Sequence, residues 1–136
     1  MRLRYESESG VQLDDPSAGE LDALLARLDG VDDSYASLTA ADGSGYVQAG
    51  GGPTEFTVEL RETRPDGTFR HLKAARPDGG AAERQLAIGG GDVTVRADEV
   101  LDRAAVGQVF RAFLSGRVVA APVLWHDVTA MFAGTS

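Results

Sequence analysis

The stretch "YVQAGGGPTEFTVELRE", residues 46–62, sets three glycines and a proline between two apolar runs. A phosphate-binding loop would need backbone N–H groups opening onto a helix N-terminus, and its usual form ends in Gly-Lys-Ser/Thr. Here Pro53 removes one N–H directly after Gly52, and the chain continues with Phe56, Val58 and Leu60 alternating against Glu55, Thr57 and Glu59. That period of two belongs to a half-buried strand. A dinucleotide-binding fingerprint fails for the same reason, because it too requires a helix next. The glycines mark a hairpin corner.

Working outward from that corner, the neighbouring segments repeat the pattern. "SYASLTA" (34–40) reads as a strand, "ADGSG" as a turn and "YVQAG" as its antiparallel partner. Beyond residue 63, "RPDG" closes a second hairpin into "TFRHLKAA". After the flexible "RPDGGAAER", the runs "QLAI" and "VTVRA" flank "GGGD" and form a further hairpin. "RLRY" at 2–5 reads as a short first strand, and a last strand is expected around Leu124 to Thr129.

Two helices complete the pattern. Ser17 is a good N-cap, Glu20 completes a capping box, and Leu21, Leu24, Leu25 and Leu28 follow at helical spacing up to a stop at Gly30. The second helix carries Val106, Val109, Phe110, Phe113 and Leu114 on one stripe, with Gly116 just past its end. Asp98 and Asp102 both qualify as its cap. Hairpins flanked by two helices argue an α+β fold: one domain over residues 1–136, an antiparallel sheet with both helices on one side. At this length a single core buries about two-thirds of the extended chain's surface.

Composition excludes several chemistries. There is no cysteine, so disulfides, thiol catalysis and thiolate metal sites are ruled out together. Only His71 and His126 are available, and a histidine-based metal centre would need carboxylates to complete it. The opening "MRLRYESESG" has no apolar run of signal-peptide length, and no segment approaches a membrane span, which points to a cytoplasmic protein.

The net charge of −8 is unevenly spread. Residues 1–42 hold ten acidic side chains against Arg2, Arg4 and Arg27, a net −7, and the rest of the chain is close to neutral. Direct nucleic-acid binding is disfavoured, since it needs clustered Lys and Arg. A basic protein partner is the better electrostatic match, with simple solubility as the bland alternative.

No reaction centre emerges from the side chains. Glu55 and Glu59 share a strand face, but outward carboxylates on an exposed strand are ordinarily just solvated. Ser37, Ser44 and Ser115 lack a nucleophile-elbow context. In "WHD" (125–127) the histidine and its neighbours point to opposite faces of a strand, and Trp125 reads as a core or edge anchor. The expectation is a non-enzyme with no catalytic, cofactor or metal residues. Its partner-binding candidates are Asp14, Asp15, Asp32, Asp33, Glu55 and Glu59.

The ordered series "DGSGYVQAGGGPTEFTVELRE", "FRHLKA", "DEVLDRAAVGQVFRAFLSG" and "WHDVTAMF" resembles the first-numbered immunity-protein family of bacterial polymorphic toxin systems. The likeness spans roughly residues 35–132, is looser before residue 35, and rests on motifs that are not catalytic. It implies a small cytoplasmic α+β protein, of a kind common in actinobacteria, encoded beside a secreted toxin. It further implies that the protein binds and inhibits that toxin's C-terminal domain, often a zinc-dependent nucleic-acid deaminase. No functional residue carries over from the family. A secretion chaperone for an effector, or a small-molecule-binding domain with the glycine corners as a pocket rim, are the alternatives.

Overall fold

A computed structural model describes residues 2–117 and 122–132. Among the described residues, seven strands form one antiparallel sheet in the order β2-β1-β3-β4-β5-β6-β9. They are β1 (Leu3–Ser7), β2 (Gln12–Asp14), β3 (Tyr35–Ala40), β4 (Gly45–Gly51), β5 (Phe56–Thr63), β6 (Phe69–Ala75) and β9 (Leu124–Asp127). Helices α1 (Ala18–Leu25) and α2 (Arg103–Leu114) pack side by side on one face of that sheet. The α+β architecture and the placement of both helices follow the sequence reading.

The alternation that marked the strands sorts the core. Leu3, Tyr5, Ala36, Leu38, Val47, Ala49, Phe56, Val58, Leu60, Leu72 and Ala74 all face the helices and are buried. Leu21 and Leu25 of α1 and Val106, Val109 and Phe110 of α2 close over them. Burying a side chain of this size is worth about 1.5–3 kcal/mol, so this one face holds most of the hydrophobic stabilisation.

Both helix starts are set by local chemistry. Ser17 Oγ accepts the Glu20 N–H, and Glu20 Oε1 accepts the Ser17 N–H, a complete capping box. Asp102, rather than Asp98, caps α2 by accepting the Ala105 N–H at 2.8 Å. The end of α1 differs from expectation: the helix stops at Leu25, before Gly30. The chain leaves the helix through a tightened turn, with the Leu28 N–H on the Leu25 carbonyl, and the Arg103 guanidinium also donates to the Leu25 and Leu28 carbonyls left at that end.

The hairpin of β7 (Glu83–Ile88) and β8 (Gly91–Arg96) forms as read, but it does not join the sheet. It lies on the face opposite the helices, with the Ile88 side chain over Gly50, where a Cβ would sit 2.7 Å from Ile88 Cδ1. Leu86, Val95 and Val100, with Ile88 beside them, form a small second core there. Strand β2 was not anticipated; it pairs with β1 through only three residues. No helix among the described residues is long and apolar enough to cross a membrane.

Candidate partner-binding surface

The six acidic candidates do not form one patch. Asp14 and Asp15 lie at the Leu3 end of β1, where Asp14 pairs with Arg4 Nε at 2.9 Å and Asp15 Oδ1 accepts the Leu3 N–H. Asp32 and Asp33 lie at the other end, where Asp33 Oδ1 accepts the Ser9 N–H at 3.3 Å. Asp33 is buried, at 7 % exposure, and cannot itself be a contact; its neighbour Asp32 is exposed.

Glu55 precedes β5 and forms an ion pair with Arg84 of the β7–β8 hairpin. Glu59 is on the helix-free face as expected, yet it is not left to water: His71 Nε2 lies 2.8 Å from its Oε1. The alternation located that face correctly, but it could not foresee the segments that cover it.

At the Asp32 end, four loops are tied together. Asp29 Oδ1 accepts the N–H groups of Val31, Asp32 and Asp33, which hold its carboxyl below the usual range. Ser34 Oγ donates to Glu8 Oε1 at 2.6 Å and accepts the Gly89 N–H at 2.7 Å, joining the β1–β2, α1–β3 and β7–β8 turns. Arg103 also donates to the Pro53 carbonyl, which brings in the β4–β5 corner. That corner touches the α1–β3 loop glycine to glycine: a Cβ on Gly30 (φ +77°) would lie 2.4 Å from the Gly52 carbonyl oxygen. Only glycine satisfies both the backbone angle and the spacing there. On the outside of this braced end, Val31 is 75 % exposed and Tyr35 41 %.

The helix-free face also gathers both histidines and the only lysine, a convergence that the sequence reading missed. His71, Lys73 and His126 come into register because β6 lies between β5 and β9, with Glu59 opposite Lys73 and Lys73 opposite His126. His71 is 3 % exposed. Arg61 Nε donates to its Nδ1 at 3.1 Å, which makes Nε2 the protonated nitrogen that donates to Glu59. Phe132, from the 3-10 turn Thr129–Phe132, meets the His71 ring at a tilt with centroids 4.5 Å apart, and the Arg61 guanidinium lies over Phe69. Both ring nitrogens of His71 are thus engaged from within.

Asp98 and Glu99, in the 3-10 turn Ala97–Glu99, meet His126, and the three offer ligand-type atoms within 4.8 Å of one another. Arg96 grips both oxygens of Asp98, at 3.0 and 3.1 Å, and holds its carboxyl below the usual range. Lys73 Nζ sits 3.6 Å from Glu99 Oε1. A cation at this place would have to displace two basic side chains; instead the Lys73–Glu99 ion pair clasps the 97–99 turn to β6, and His126 of β9 meets Glu99 at 3.3 Å. The signal for it was the spacing of "HLK" against "WHD", visible only once those two strands are known to be neighbours.

No family model matches the chain, and no curated protein is significantly similar to it.

Proposed function

We propose that this chain is an immunity-type inhibitor, a cytoplasmic non-enzyme that binds and neutralises a cognate toxin domain acting on nucleic acid. The observation that carries this reading is the charge of the first third. Among the described residues, only Asp14 and Asp22 of its ten acids form ion pairs with arginine, so its negative potential stays uncompensated. A nucleic-acid enzyme must offer phosphates a basic groove, and an acidic protein can occupy that groove and exclude the substrate. The sequence resemblance and the α+β fold agree with this. Binding in place of catalysis is supported by the internal use of these polar groups: His71 is engaged with Glu59, and Lys73 and His126 with Glu99.

The glycine-rich corner fits a pocket rim poorly, because Gly30 and the Arg103 guanidinium pack against it. The test is co-expression with the C-terminal domain of the secreted protein encoded next to this gene, read by co-purification and by rescue of growth. Co-purification with rescue is the expected result. A complex in which the toxin keeps its activity would assign the chain to the chaperones instead.

A further inference from the structure

Three features outside the ionic clasp were candidates for a further role: the groove between α1 and α2, the arginine-lined hollow at the β5–β6 turn, and the braced loop end. In the first two the arginines are already engaged, Arg111 with Asp22 and Arg70 with Glu62. The loop end differs, because Asp29, Asp33 and Glu8 brace it from within while Val31, Asp32 and Tyr35 are left exposed.

Resting on the inhibitor reading above, we propose that this end, centred on Val31, is the docking surface, and that its occupant is the basic face of a folded protein domain. Val31 and Tyr35 are the apolar anchors, and Asp32 meets the basic rim. Several observations converge. Val31 is an aliphatic side chain three-quarters exposed at a loop tip, and Tyr35, four residues on at the start of β3, is exposed as well. The tip is already ordered by three N–H bonds to Asp29 and by the Ser34 links to two other turns, so docking need not pay for ordering it.

Charge then selects the partner. Glu8, Asp29, Asp32 and Asp33 gather at this end, and none forms an ion pair with a basic side chain among the described residues. The one guanidinium in the network, Arg103, is turned inward onto three carbonyls. A surface of this kind repels phosphates and attracts lysine- and arginine-rich protein.

The test compares three variants of the full chain, Val31→Arg, Asp32→Lys and, as a control at the opposite end, the equally exposed Met131→Arg. Each is measured against the purified toxin domain encoded beside this gene, with association and dissociation rates taken at two ionic strengths. Thermal melts confirm that each variant is folded. Val31→Arg is expected to speed dissociation by about tenfold or more, since anchor contacts act on that rate. Asp32→Lys is expected to slow association most at low salt, and Met131→Arg to leave both rates unchanged. Binding by the wild type that neither Val31→Arg nor Asp32→Lys alters overturns the docking surface alone. A wild type that does not bind overturns the inhibitor reading and the surface with it.

Discussion

Arg103 shows how much of this protein rests on single side chains. Its guanidinium binds the carbonyls at the end of α1, supports the Pro53 corner and lies 5.0 Å from the centre of the Phe56 ring, so one residue at the start of α2 braces two distant turns. Phe110 is its apolar counterpart, fully buried between α2 and the sheet. Phe110→Ala should cost about 3–5 kcal/mol, read as a lowered midpoint with unchanged slope in a denaturant melt. A loss below about 1 kcal/mol would show that the neighbouring helix and sheet close over the site. At this scale periodicity served well inside elements and failed in loops. Val109 and Phe110 were legible because a helix repeats. Asp32 and Asp33 were not distinguishable, because nothing in a loop's sequence tells which of two adjacent aspartates turns inward to meet Ser9.

Among the elements, α1 is the one most dependent on its ends. It has eight residues, too few for a helix to persist on propensity alone, and its buried contacts come from Leu21 and Leu25. Ser17→Ala removes the cap and should destabilise the protein by about 0.5–2 kcal/mol in the same melt, with the Glu20 arm of the box losing its purpose. The β7–β8 hairpin is a second separable element, held by a small core of its own. Its amides should exchange with solvent faster than those of β4 and β5, and Leu86→Ala should widen that gap while sparing the sheet. Uniform protection across both would mean that the hairpin unfolds only with the whole. The hairpins from β3 onward could be read from their turn residues, since turn chemistry is local, whereas the short β1–β2 pairing was missed. Which sheet a hairpin joins is decided by distant partners such as Ile88 over Gly50, and no local pattern encodes that.

For the molecule as a whole, acid and alkali should act through different groups. Asp14 beside Arg4, Asp98 beside Arg96, and Asp29, Asp42, Asp66 and Asp127 in their turns all titrate lower in the folded chain than in the unfolded one. Their contribution is therefore complete above about pH 4, the unfolded value for aspartate, and is lost as pH falls through the folded values. Tyr5 behaves in the opposite sense. Burial, with Asp33 nearby, pushes its hydroxyl up to about 12, so its contribution is complete below about pH 10 and fades as pH rises towards that value. Melting temperature should thus hold between pH 5 and about 9, fall below pH 4 and fall again in strong alkali. Asp29→Asn should flatten the acid limb and Tyr5→Phe the alkaline one; parallel curves for variant and wild type would show that other groups govern each limb.

The position of Trp125 has an optical consequence. It is the only tryptophan in the chain, it sits on the outermost strand of one sheet edge, and its side chain packs against the main core with a buried, unpartnered indole N–H. Selective excitation of the indole therefore observes the β9 edge where it meets β6 and the core. A red shift in its emission that precedes the loss of far-ultraviolet ellipticity would mark the closing strand peeling away while the rest of the sheet stays intact, which gives the protein a built-in gauge of its own edge.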